Sequence, residues 1–183
     1  VIRPENFTAI AVYSDMETVG AFHCSNPMID QLYQNTLWSM KGNFLDLPTD
    51  CPTRERLGWT GDAQIFFNTG AYMMDTAAFF KKWLGDMRDA QVRPEDAEGV
   101  SMEADSRKYP GFAFDKFENK ETEDPGFVPG IAPEFFRIGG LFKDPNWGGA
   151  CVMTPWYYYR EYGDVNILRQ NFELMQSYVD HLE

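Results

Sequence analysis

The chain has 183 residues, 44% hydrophobic and 24% charged. That length and balance suit one folded domain and exclude a disordered or low-complexity chain. The net charge of −12 repels phosphate backbones, which argues against nucleic-acid partners. No apolar run approaches the roughly 18–20 residues of a membrane-spanning helix, so no membrane partner is expected.

Aromatic residues make up 16% of the chain. They can fill a core or line a site that stacks on sugar faces. Three cysteines, Cys24, Cys51 and Cys151, are too few for a disulfide scaffold and read as free buried thiols. His23 and His181 are the only histidines, and neither HExxH nor CxxC occurs, so no metal and no cofactor are expected. The first residues, Val1-Ile2-Arg3-Pro4, carry no leader-like pattern. The chain reads as a piece of a longer protein, which leaves its compartment open.

Residues 7–14, Phe-Thr-Ala-Ile-Ala-Val-Tyr-Ser, predict a β-strand from their β-branched and aromatic content. Asn26-Pro27 opens a helix, a capping residue followed by proline in the first turn. Its apolar positions are Met28/Ile29, Leu32/Tyr33, Leu37 and Met40, and Gly42 is the expected stop. Residues 43–61, with Pro48, Pro52, Gly58 and Gly61, predict a structured loop. A second helix opens near Asp62, with Ala63, Phe66, Phe67, Gly70, Ala71 and Met74 inward. A third is capped by Asp75 or Thr76 and carries Phe79/Phe80, Trp83/Leu84 and Met87 on one side.

Residues 92–146 lack periodicity and hold six of the eleven prolines. Phe112, Phe114, Phe117, Phe127, Phe135 and Phe136 point to a packed insertion there rather than a linker. A helix resumes near Trp147, passes Pro155 at a kink or first turn, and ends at Gly163. Asp164 caps the last helix, whose apolar residues Val165, Leu168, Phe172, Met175, Val179 and Leu182 recur at helical spacing. The expected fold class is all-α: about five helices with a short N-terminal β-strand, arranged as a bundle, solenoid or α/α toroid.

The chemically dense stretch is residues 43–62, NFLDLPTDCPTRERLGWTGD. It sets Asp46, Asp50, Glu55 and Asp62 beside Arg54, Arg56 and Trp59. Carboxylates accept sugar hydroxyls, arginine keeps carboxylates ionised, and an aromatic plate stacks on the apolar sugar face. Glycoside hydrolysis needs two carboxyl groups in different protonation states. A solvated charged turn is the alternative reading of the same residues.

Asp50-Cys-Pro-Thr-Arg54-Glu55-Arg-Leu-Gly-Trp59-Thr-Gly-Asp62 resembles the central motif of the α-L-rhamnosidases of glycoside hydrolase family 78. Ser25-Asn26-Pro27 with Leu32-Tyr33, Phe80 to Gln91, and Trp147 to Trp156 with Tyr162-Gly163-Asp164 extend the likeness. The resemblance implies a partial (α/α)6 barrel and an inverting mechanism acting on rhamnose-containing oligosaccharides or glycosides. It implies Glu55 as general acid, a role that neighbouring carboxylates and burial against Trp59 would favour. Asp50, Arg54, Trp59 and Asp62 would hold rhamnose in the −1 subsite, and Trp147 is a subsite wall or a core residue.

Two departures are visible. Relatives often carry Arg-Asp-Glu-Arg where this chain has Arg54-Glu55-Arg56, and Trp-Gly-Asp-Ala where it has Trp147-Gly148-Gly149-Ala150. The second affects the expected substrate preference. The expected organisation is a strand and linker from a preceding β-sandwich at 1–20, then the first half of the barrel at 21–183 with an insertion at 92–146. The general base falls outside the chain, so the chain alone is expected to be inactive. Exposed apolar helix faces would drive self-association. The competing readings are another inverting (α/α)6 glycosidase and a non-catalytic helical carbohydrate-binding module.

Overall fold

A computed structural model describes residues 2–93, 125–134 and 144–183. In chain order the elements are α1 (Pro27–Asn43), β1 (Phe44–Leu45), β2 (Leu47–Pro48), α2 (Thr60–Met73), α3 (Ala77–Ala90), α4 (Pro145–Gly148), α5 (Ala150–Tyr162) and α6 (Val165–Leu182), preceded by a 3-10 turn at Pro4–Asn6. Among the described residues five long helices carry the fold, as expected. The insertion residues Phe112, Phe114, Phe117, Phe135 and Phe136 lie outside the described residues, while Phe127 is buried in the core.

Local chemistry sets the helix ends. Asn26 Oδ1 accepts from Met28 N at 3.0 Å, with Pro27 in the first turn. Asp164 Oδ1 accepts from Asn166 N at 2.9 Å, and Asp75 Oδ1 accepts from Ala77 N at 3.1 Å. Each satisfies a donor that the first helical turn leaves unpaired. Gly163 closes α5 at φ 68°, a left-handed conformation that costs glycine least.

α5 is the hub. It packs against α2, α3, α4 and α6. Phe67, Phe80, Trp83, Leu84 and Met87 are fully buried between these helices, each worth about 1.5–3 kcal/mol of apolar burial or more for the larger rings. Phe44 stacks on Phe79 with centroids 4.7 Å apart, and Phe67 meets Phe80 at 4.6 Å. The buried stripe of α3 is the one its sequence periodicity picks out. Pro155 sits inside α5, past the first turn, where it removes the N–H that would bond the carbonyl of Cys151.

Three expectations need correction. Residues 7–14 form no strand, because no edge among the described residues pairs with them. Phe7, Ile10 and Val12 stay exposed, and the backbone tie from this stretch to the helical body is Ser14 N donating to Phe44 O at 2.9 Å. The small antiparallel ladder of the described residues is instead β1–β2, Phe44 opposite Pro48, inside the segment read as a loop. Of the three thiols, Cys151 is buried but Cys24 and Cys51 are only half-buried.

Helix α6 carries two apolar stripes. Ile167, Asn171, Leu174 and Tyr178 are buried against α5 and α3. Val165, Phe172, Val179 and Leu182, part of the stripe its periodicity selects, are exposed. Asn171 is fully buried and satisfied, accepting from Arg88 Nη1 at 2.6 Å and donating to Ile167 O at 2.7 Å. Met28 and Leu32 on α1 are likewise exposed. These are faces that further helices of a toroid would cover.

Candidate active site

The motif begins where α1 ends. Thr49 donates to Asn43 O and Oδ1, both at 3.0 Å, and Asp46 turns the β1–β2 hairpin at φ 71°. That turn points Asp46 away from the rest of the motif, toward Lys82, 3.4 Å from its Oδ1. Lys82 also pairs with Asp86 at 2.8 Å. Desolvation pulls the Lys82 pKa down, and the two carboxylates together outweigh it and raise the pKa.

Residues 50–57 then close a tight loop. Asp50 N donates to Leu57 O at 3.1 Å, and Leu57 N returns a bond to Asp50 Oδ1 at 3.2 Å. Within the loop, Glu55 N donates to Cys51 Sγ at 3.2 Å. Arg56 sits at φ 56°, a conformation rare for a long side chain and the strain point of the loop. Glu55 Oε2 accepts from Trp59 Nε1 at 2.7 Å, so the Glu55 carboxylate and the Trp59 indole are held as a unit.

The start of α2 is fixed by chain from far along the sequence. Thr60 N donates to Gly130 O at 2.8 Å, and Thr60 Oγ1 lies 3.1 Å from Gly130 O and 2.9 Å from Trp147 O. Ala132 N donates to Gly58 O at 2.9 Å, and Trp83 Nε1 donates to Ala132 O at 2.9 Å. Gly61 faces the Trp147 indole: a Cβ there would stand 2.8 Å from ring carbons. Glycine is what lets this ring lie on the first turn of α2.

Asp50, Glu55, Trp59, Asp62, Asp144 and Trp147 line one open pocket of about 300 Å³. Asp62 has its pKa raised, first by desolvation and then by the charges of Asp50 and Glu55. The backbone at the start of α2 and the Trp147 indole pull the other way. Asp62 is an exposed residue, so solvent screens much of this interaction. The buried Trp147 Nε1 faces this carboxylate without closing a hydrogen bond of good geometry.

The structure thus brings together five of the six residues singled out in the sequence. Arg54 is the exception: it is exposed, does not line the pocket and makes no ion pair among the described residues. Glu55 is also exposed rather than buried against Trp59, because the indole meets it with its N–H. Sequence reasoning misses Asp144, although a signal is present: Asp144-Pro145 repeats the cap-then-proline pattern of Asn26-Pro27. At Gly149, where relatives often carry Asp, a Cβ would lie 2.7 Å from Pro145 O. The backbone here is closed around glycine.

The model of the bacterial α-L-rhamnosidase six-hairpin glycosidase domain matches residues 17–183. The chain belongs to this family. It is 32% identical over 173 residues to an α-L-rhamnosidase of Formosa agariphila, covering 94% of this chain and 15% of that protein. An α-L-rhamnosidase of Streptomyces avermitilis is 35% identical over 163 residues, covering 88% of this chain and 13% of that one. Among solved structures, the native α-L-rhamnosidase of Aspergillus terreus superposes with a TM-score of 0.72 at 36% identity, covering 94% and 16% of the two chains. The Streptomyces avermitilis enzyme complexed with L-rhamnose gives 0.71 at 32% identity, covering 93% and 13%. The helices described above are therefore part of a six-hairpin, (α/α)6 barrel, and the chain spans about 15% of the length of its curated relatives.

Proposed function

We propose that this chain forms one side of the −1 subsite of an inverting α-L-rhamnosidase. The observation that carries the reading is the single pocket gathering Glu55, Asp62, Trp59 and Trp147 with Asp50 and Asp144. Glu55 is the general acid. Trp59 Nε1 holds its Oε2, which leaves Oε1 as the oxygen that carries the proton to the glycosidic oxygen. As the C–O bond breaks, Glu55 becomes a carboxylate and the indole N–H stabilises the new charge.

Asp62 accepts hydroxyl hydrogen bonds from the sugar, and the two indoles offer apolar faces to its ring. Asp50 positions the loop through Leu57. Arg54 is assigned to the subsite only by the family motif; its exposed position fits a contact with an incoming substrate better than a fixed −1 contact. Inversion requires a second carboxylate about 6.5–9.5 Å from the acid, across a water. We assign that base to a part of such an enzyme not represented in this chain.

Residues 1–20 are proposed as a linker outside the barrel, a reading supported by the exposed Phe7, Ile10 and Val12. Residues 21–183 are proposed as the first half of the barrel.

The test is a titration of the chain with L-rhamnose, with D-glucose as control. Saturable binding of rhamnose alone, weakened by Asp62→Ala and retained in Glu55→Gln, is the expected result. Equal affinity for both sugars would overturn the sugar assignment. Measurable rhamnoside turnover by the chain itself, abolished in Glu55→Gln, would overturn the placement of the base.

A further inference from the structure

We propose that Asp144 is a specificity-determining residue of this subsite, accepting a sugar hydroxyl through Oδ2. The inference rests on the −1 subsite reading above and adds a residue to it. Asp144 lines the same pocket as Glu55 and Asp62 but reaches it from α4, 82 residues after Asp62 in the chain.

Its two carboxylate oxygens are in different states. Oδ1 caps α4, accepting from Asn146 N at 2.8 Å and Asn146 Nδ2 at 2.9 Å. Oδ2 makes no hydrogen bond among the described residues. An ionised carboxylate offers about four lone-pair positions, so the capping role leaves half of the group for a ligand. The short helix supplies position here, not an anion site.

That position is well fixed. Trp147 N and Gly148 N both donate to Asp144 O at 3.0 Å. Tyr178 OH donates to Pro145 O at 3.1 Å, and Thr60 Oγ1 holds Trp147 O at 2.9 Å. Gly148 lies so close to the Tyr178 ring that a Cβ would come within 2.7 Å of it. The backbone carrying Asp144 therefore cannot shift without moving Trp147 against Thr60 or Gly148 against Tyr178, and the two bonds from Asn146 hold its Oδ1.

Spacing supplies the second argument. Asp144 and Trp147 are three residues apart at the start of a helical turn, so both side chains fall on one side of it. Glu55 and Trp59 form the corresponding carboxylate–indole pair on the facing loop. In the Glu55 pair the indole N–H engages the carboxylate at 2.7 Å. In the Asp144 pair no such bond exists among the described residues, which keeps Oδ2 available. A sugar ring needs this combination at its edge, a plate for the C–H face and an acceptor for the adjacent hydroxyl.

The experiment is a fluorescence titration of the 183-residue chain with L-rhamnose and its 2-, 3- and 4-deoxy analogues, read from the pocket tryptophans. Asp144→Asn is the variant, because asparagine caps a helix as well as aspartate. The loss of a charged acceptor is expected to weaken L-rhamnose about tenfold or more with an unchanged melting temperature. That loss should vanish for one deoxy analogue, the one lacking the hydroxyl that Asp144 reads. Binding within about twofold of the unmodified chain, or the same loss for every analogue, would overturn the assignment while leaving the subsite reading intact. No saturable rhamnose binding by the unmodified chain, or binding indifferent to Asp62→Ala, would overturn both.

Discussion

Gly61→Ala tests the contact that seats Trp147 in the pocket. The new Cβ would stand 2.8 Å from Cδ2 and Cε2 of Trp147 and 2.9 Å from its Nε1, well inside ordinary carbon contact at about 3.5–4.0 Å. The neighbour is a rigid ring whose backbone is tied to Thr60, so it cannot give by a small rotation. Overpacking of this kind costs about 1–3 kcal/mol, and alanine returns at most about 1 kcal/mol of helix propensity over glycine. The expected net effect is a destabilisation of about 1–2 kcal/mol, together with loss of rhamnose binding as the indole is pushed from its seat. Urea unfolding followed by tryptophan fluorescence measures the first and sugar titration the second. In a Trp147→Ala background the clash is gone, and Gly61→Ala should become neutral or mildly stabilising. The reasoning fails if Gly61→Ala is equally costly in both backgrounds, or costs nothing in the native one.

Three further outcomes follow from the same geometry. Asp62 should titrate above its ordinary value near 3.8. Its folded-state pKa is raised, so its stabilising share is present below the unfolded value and lost as pH rises through the folded one. Asp62→Asn should therefore flatten stability against pH just above 3.8, and an NMR midpoint at or below that value would refute it. Burial pushes the Cys151 thiol far up, while Cys24 and Cys51 are half-buried. A thiol reagent should modify Cys24 and Cys51 in the native chain and Cys151 only after unfolding; rapid native labelling of Cys151 would contradict the fold. Phe172 is 60% exposed on an apolar stripe of α6, and such surfaces drive association. The chain should self-associate, Phe172→Glu should reduce this with little change in melting temperature, and a monomer at high concentration by light scattering would refute it.

Much of the candidate site is legible in the sequence alone. Asp50, Glu55, Trp59 and Asp62 lie within thirteen residues, and the prolines and glycines between them leave the backbone few ways to run. Short-range chemistry of this kind is written locally, as are the caps at Asn26 and Asp164. Trp147 is legible as a candidate but not as a choice between wall and core, because that depends on Gly61, 86 residues earlier. Asp144 is hidden by its position at the edge of an aperiodic stretch, where no pattern of spacing separates a pocket residue from a loop. Arg54 misleads for the opposite reason. It is adjacent to Glu55 in sequence, yet the loop that ties Asp50 to Leu57 leaves it outside the pocket.

Helix number, helix ends and the buried stripe of α3 follow from propensity, capping and period, which act over a few residues and are therefore settled along the chain. Which apolar stripe of α6 turns inward is not settled there. Periodicity picks out the stripe of Val165, Phe172 and Val179, and only packing against α3 and α5 turns Ile167, Leu174 and Tyr178 inward instead. The same holds for residues 7–14. Their composition favours a strand, but a strand is a paired object. With no neighbouring edge among the described residues to supply hydrogen bonds, the segment stays unladdered.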